Sequence, residues 1–231
     1  MVGERILTAI CATDEKLRPE YISNAEPIKT PFVSIDDCKE RWAPKATMRG
    51  LGVVADVALP FLWKRDRPIK YYGHVMHTST NFKGQMTLGQ VIVRSDIERG
   101  IDWSSIFGEL CAIAKPKFGM LHLFTAPELA KAEFKSPQSS FQIGPAGWSL
   151  DSGIPNLGWA NYLGDDFAAD VDITQLAAHG FSAHRMGEDC LITTTRDLFD
   201  VADNFGTFSD RRSNLKKLFR TGLFQIETEP Q

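Results

Sequence analysis

The chain lacks the patterns that mark the common nucleotide-binding and hydrolytic enzymes. Nothing matches the phosphate-cradling G-x-x-x-x-G-K-[ST] or the dinucleotide G-x-G-x-x-G arrangement, and no G-x-S-x-G elbow presents a nucleophile. Cysteine is scarce: Cys11, Cys38, Cys111 and Cys190 lie far apart and form no C-x-x-C pair. Such spacing fits free thiols in a reducing compartment better than a zinc site or a disulfide framework. No run approaches the ~20 apolar residues that a membrane span requires. The apolar stretch Ile6 to Ala12 is short and follows Glu4, which argues against a signal peptide, and bulky Ile10 before Cys11 argues against a lipoprotein site. A cytoplasmic location is the expectation. The last scarcity is local: Asp151 to Asp210 contains almost no Lys or Arg.

What is present is ordinary for a folded chain. Of 231 residues, 43% are apolar and 24% charged, too apolar for a disordered protein. The length suits one large domain or two small modules.

Read in order, Arg5 to Ala12 suggests a strand and Asp14 to Pro31 a loop. Ser34 to Trp42 begins like a helix, with Ser34 as cap and Asp36, Asp37 and Glu40 in the early turns. Leu51 to Trp63 is a second candidate helix. Ile69 to Thr80 and Gln85 to Arg94 form a hairpin across Asn81 to Gly84. The clearest helix follows Asp102, with Trp103, Ile106, Phe107, Leu110, Cys111 and Ala114 at helical spacing and Pro116 as the stop. Phe118 to Phe124 reads as a strand, Pro127 to Phe134 as a short helix, and Lys135 to Pro155 as a loop.

The remainder repeats this order. Leu157 to Leu163 is a strand, Asp172 caps a helix that Gly180 ends, and Phe181 to Met186 and Cys190 to Thr195 form a hairpin around Gly187-Glu188-Asp189. A helical turn over Leu198 to Phe205, a helix capped by Ser209, and a strand over Leu223 to Glu227 complete it. The expected fold is α+β: two ferredoxin-like, split β-α-β units, mostly antiparallel, with helices on one face. The expected division is residues 1–126, a connector over 127–156, and residues 157–231.

Candidate chemistry is sparse. His74 and His77 have H-x-x-H spacing, but residues three apart on a strand face opposite ways and do not converge on a metal. His122, between Met120 and Phe124, reads as a hydrogen-bonded core histidine. His184 and Cys190 sit on opposite arms of the second hairpin, and a thiol hydrolase using them is the alternative enzymatic reading. A non-inhibitory adaptor for a secreted effector is another.

Charge is distributed unevenly. Asp151 to Asp210 carries eleven carboxylates against Arg185 and Arg196, a net charge of −9, which leaves +6 on the rest of the chain. Two readings stand: a solvated acidic face, or an electrostatic dock for a basic partner. Phosphates want Lys and Arg, so direct nucleic-acid binding through this segment is disfavoured. Arg211, Arg212, Lys216, Lys217 and Arg220 are the basic exception and are expected to decorate one helix.

Pro155, Leu157, Trp159, Asn161, Leu163 and Gly164, followed by an acidic helix, a hairpin and Asp197 to Val201, resemble the type VI secretion immunity proteins. They also resemble the related immunity protein 52 families of bacterial polymorphic toxin systems. The resemblance covers about the last third of the chain. It implies a non-enzymatic antidote that binds a cognate toxin, often a nuclease with a basic surface. The contacts expected on this reading are Asp165, Asp166, Asp170, Glu188 and Asp189, with Tyr162 as an aromatic anchor and Trp159 as either a second anchor or, the favoured reading, a core residue. No cofactor, membrane or direct nucleic-acid contact is expected.

Overall fold

Gly3, Ile6, Leu7 and Ile10 recur at helical spacing and are all buried, and the segment expected as a strand is the amphipathic helix α1 (Val2–Thr13). The computed structural model describes residues 1–50, 53–80, 86–125, 128, 150, 153–226 and 229. The chain divides into two units, Met1–Asp102 with Gly144–Ser149, and Trp103–Ile143 with Leu150–Gln231.

The first unit continues with strands β1 (Tyr21–Ser23), β2 (Thr30–Pro31), β3 (Lys45–Gly50), β4 (Val53–Ala58), β5 (Phe61–Arg65), β6 (Tyr71–Met76), β7 (Ser79–Thr80), β8 (Met86–Thr87) and β9 (Gln90–Ser95). Five of them form an antiparallel sheet in the order β2-β1-β5-β6-β9, while β3-β4 and β7-β8 are separate ribbons. The hairpin expected after Ile69 is the β6–β9 pair; its expected turn, Asn81 to Gly84, lies outside the described residues. The helix expected over Leu51 to Trp63 is instead β4 and β5. Three valines and Pro60 favour extended backbone there over a helical run. Ser34 to Trp42 yields only a short 3-10 helix, Asp36–Arg41, with the Asp37 amide donating to Ser34 Oγ at 3.2 Å.

On the inner face of this sheet, Phe61, Trp63, Tyr71 and Val75 are buried, and the Tyr71 hydroxyl donates to the Leu17 carbonyl. Trp42 stacks on Phe61 at 4.0 Å, and Gly3 of α1 lies so close to the Trp42 ring that a Cβ would sit 2.6 Å from it. Among the described residues no α-helix lies between the strands of this unit, so it carries no split β-α-β.

The second unit holds α2 (Trp103–Ala114), β10 (Phe118–Leu121), β11 (Ala160–Leu163), α3 (Asp166–Ala169), α4 (Ile173–Ala178), β12 (Ser182–Met186), β13 (Asp189–Thr193), α5 (Asp200–Asp203) and α6 (Phe205–Lys216). The helix expected after Asp102 is α2. Asp172 caps α4 by accepting from the Gln175 amide at 3.0 Å, and Gly180 leaves that helix at φ +76. The strands form one antiparallel sheet, β10-β11-β13-β12. Strand β13 lies between β11 and β12, which α3 and α4 connect, so this part is a split β-α-β.

Three expectations are corrected here. The place beside β11 is filled by β10, from earlier in the chain, and not by Leu223 to Glu227. Of that last segment, Phe224 forms only an isolated bridge with Ile154, and Glu227 lies outside the described residues. The boundary between units consequently falls at Asp102, not at residue 126, because the β10–β11 ladder binds the earlier strand to the later unit. Helices pack on both faces of the sheet, not one. On one face Gly119 leaves room for α2, since a Cβ there would meet Cys111 Sγ at 3.2 Å and Phe107 at 3.4 Å. On the other, Leu163, Cys190 and Ile192 pack with Leu176 of α4 and Leu215 of α6. Ser209 lies buried inside α6, which starts earlier, at Phe205. The expected helix over Pro127 to Phe134 falls outside the described residues except for Glu128.

Candidate functional site

Two acidic turns meet at one end of the second sheet. The β11 strand runs out at Leu163, which pairs with Cys190, so Gly164 and Asp165 leave the sheet beside the Gly187-Glu188 turn. A Cβ on Gly164 would lie 3.4 Å from Asp189 Oδ1 and only 2.4 Å from the Pro116 carbonyl oxygen. Asp165 and Glu188 are exposed. Asp165 adopts φ +48, a conformation natural to glycine, in a turn closed by the Phe167 amide on the Gly164 carbonyl at 3.1 Å. Asp166 opens α3, and its side chain lies outside the described residues.

The other expected contacts are engaged within the fold. Asp170 accepts from Arg220 at 2.9 Å, and Lys117 approaches Asp165 at 3.9 Å. Tyr162 is 1% exposed, and its hydroxyl donates to Asp189. It is a core residue and not a surface anchor, because its strand is covered on both faces. Arg185 turns its guanidinium onto the carbonyls of Ala168 and Val171. Counting the described side chains of Asp165, Asp170, Glu188 and Asp189 against Lys117, Arg185 and Arg220, this end carries a net −1.

The residues that carry the resemblance are structural. Every residue from Gly153 to Gly164 is buried. Asn161 Oδ1 accepts from the Gly158 amide at 2.7 Å while its Nδ2 donates to the Gly158 carbonyl at 3.1 Å, which fixes the chain as it enters β11. No family model, curated protein or solved structure matches the chain.

Cys190 and His184 do not form a catalytic pair. Cys190 pairs with Arg185 across the hairpin, so the adjacent His184 points to the opposite face. Cys190 is 0% exposed, and burial raises its thiol pKa against the pull of Arg185, the reverse of an activated nucleophile. In the first unit, His74 shares its row with Leu62 and Ile92, while His77 follows the end of β6. Burial lowers the pKa of both. Among the described residues no group of three His, Cys, Asp or Glu is placed to hold a metal.

The basic cluster of the last helix is mostly turned inward, because its residues neutralise carboxylates or close carbonyls. Arg212 is 0% exposed, with Nη1 2.9 Å from Glu128 Oε1 and Nε 2.6 Å from Glu229 Oε2. Lys216 also reaches Glu229 and donates to the Ile226 carbonyl at 2.6 Å. His122 joins this network through Nε2, 2.9 Å from Glu128 Oε2, as a hydrogen-bonded core histidine. The sequence reading missed Glu128 and Glu229 as members. The available signal was Arg212 and Lys216, spaced i, i+4 on the face that carries Phe208 and Leu215.

This network makes stability depend on pH. Burial lowers the His122 pKa from its ordinary 6.5, outweighing the hydrogen bond to Glu128. Burial raises the Glu128 carboxyl, but His122 and Arg212 outweigh it and hold the group below its ordinary 4.5. Both folded-state values lie below the unfolded ones, so the unfolded chain takes up each proton first. Stability therefore begins to fall as the pH drops through 6.5, and Glu128 adds a second loss below 4.5. Urea midpoints are expected to fall as the pH drops below about 6.5, with His122→Gln reducing the slope there. An unchanged slope would remove His122 from this account.

Proposed function

We propose that this protein is an immunity protein, an antidote that binds and neutralises a cognate toxin, with a basic nuclease of a type VI secretion system as the partner class. The observation that carries this reading is the meeting of the Asp165 and Glu188 turns, 23 positions apart in sequence, at one exposed end of the second sheet. An acidic end suits a surface that evolved to hold nucleic acid. The backbone of Asp165 adds support. A non-glycine residue at φ +48 costs on the order of 1–3 kcal/mol, and such strain gathers where a side chain is needed for a contact.

The test is co-expression with a candidate nuclease toxin from a neighbouring reading frame, followed by association kinetics of the purified pair. Cells are expected to survive only when the antidote is present. Asp165→Gly is expected to raise stability by about 1 kcal/mol by relieving the turn, while slowing association. Combined with Glu188→Lys, it is expected to slow association about tenfold at low salt, with the difference shrinking at high salt. A toxin left active by excess protein overturns the antidote reading. An on-rate unchanged at low salt overturns the electrostatic dock.

A further inference from the structure

The opposite end of the β12–β13 hairpin opens into a cleft of about 490 Å³. Its walls come from Ser182 at the start of β12, Thr193 at the end of β13, Arg196 three residues beyond it, Asn204 before α6, and Thr207 and Arg211 on α6. Arg211 is held in place: Nε donates to the Thr194 carbonyl at 2.9 Å, Nη2 to the Gly180 carbonyl at 2.8 Å, and the guanidinium lies over Phe181 at 4.7 Å. Arg196 is exposed and makes no ion pair among the described residues. Asp200 also lines the cleft, with Oδ2 accepting from the Asp197 amide at 3.2 Å. At the end of a segment of net charge −9, the cleft thus gathers Arg196 and, just past that segment, Arg211 against one engaged carboxylate.

Strand β12 is the end strand of its sheet, and Ser182, His184 and Arg185 are exposed along it. An end strand presents unpaired backbone groups that an extended peptide can join. From Ser182 to Met186 it spans about 13 Å, with the cleft at one end and the Glu188 turn at the other. We infer that an extended segment of a partner protein adds to the β12 edge and seats a carboxylate side chain between Arg196 and Arg211. A cationic residue of the same segment lies at the Glu188 end; that half alone rests on the antidote reading above. A peptide is favoured over a nucleic acid because a polyanion places a charge at every step along a strongly acidic segment. A single carboxylate meets only the cleft.

The test is an amide-shift titration of the isotope-labelled full chain with the acetylated, amidated peptides Glu-Thr-Val-Thr-Val-Lys and Lys-Thr-Val-Thr-Val-Glu, which cover both strand directions. Versions with Gln for Glu, and inorganic phosphate, serve as comparisons. One Glu peptide is expected to shift Ala183, Arg185, Thr193 and Arg196 and to bind about tenfold tighter than its Gln version, the difference expected for a charge-assisted hydrogen bond. Arg196→Gln, at an exposed position with no ion pair among the described residues, is expected to erase that difference. Equal binding of the Gln version, no binding at all, or equal shifts with phosphate overturns the inference. Shifts confined to Gly187–Asp189 overturn the cleft but leave the acidic dock standing. Seating of the Glu peptide beside a toxin that stays active leaves the cleft standing and removes the antidote reading.

Discussion

Arg212→Met is expected to destabilise the second unit by roughly 3–5 kcal/mol, because it strips Glu128 of its guanidinium and leaves Glu229 to Lys216. Arg212 joins Glu128 and Glu229, whose side chains are each 3% exposed. It also donates to the Leu157 carbonyl at 3.3 Å and lies over the Phe208 ring at 4.9 Å. Methionine keeps much of the stem's packing, so the loss reports the charge and its hydrogen bonds more than volume. The measurement is urea-dependent amide exchange at Tyr162 and Leu191, which pair within the second sheet and report this unit alone. Replacing Glu128 by Gln in the same chain is expected to recover a large part of the loss, since the carboxylate that Arg212 neutralised is then gone while Glu229 stays to pair Lys216. A loss below about 1 kcal/mol would show that water reaches the carboxylates once Arg212 is removed.

Gly73→Ala, the addition of one methyl group, is expected to cost roughly 3 kcal/mol in the first unit. A Cβ at this position would lie 2.2 Å from two atoms of the Trp63 ring, far inside contact distance. Trp63 is 0% exposed and has Phe61 beside it at 6.1 Å, so the ring has little freedom to withdraw. The residues are cross-strand partners on β5 and β6, and the ring fills the space that Gly73 leaves on the sheet. Trp63→Leu in the same chain is expected to make the alanine nearly neutral relative to Trp63→Leu alone, a coupling that thermal melts of the four proteins would read. Additive effects would mean that the ring is not what excludes the methyl group. Gly158→Ala makes a useful contrast, because its nearest obstacle is the flexible Met120 side chain at 2.4 Å.

The parts of the fold legible in sequence were those with local punctuation. Asp102 and Pro116 bracket α2, Asp172 and Gly180 bracket α4, and Gly187 turns the β12–β13 hairpin. The assignments for Arg5 to Ala12 and Leu51 to Trp63 failed, the first because no such residue arbitrates and the second because Pro60 was outweighed by its apolar neighbours. In the first, a run of seven apolar or small residues hides the wider spacing that includes Gly3. In the second, consecutive apolar residues suit either form. Strand pairing over long separations was not legible, since nothing near Phe118 announces a partner at Leu163. The acidic end was read as a stretch of charge. Its neutralisation by Lys117, Arg185 and Arg220 depends on tertiary contacts with residues outside or across that stretch. The inward turn of Arg212 was hidden for the same reason, its partners lying 84 and 17 positions away.

Strand β10 also imposes an order on biosynthesis. A ribosome releases Phe118–Leu121 well before Ala160–Leu163, its partner in the sheet. During that interval the nascent strand has no ladder to complete, while the first unit already has all five strands of its sheet in hand. The two units thus mature at different times: the earlier one closes on itself, and the later one waits with an open edge until its central strand arrives. A pause in translation over residues 122–159 would prolong that exposure, and it is there that holding chaperones would find an unpaired strand to shield.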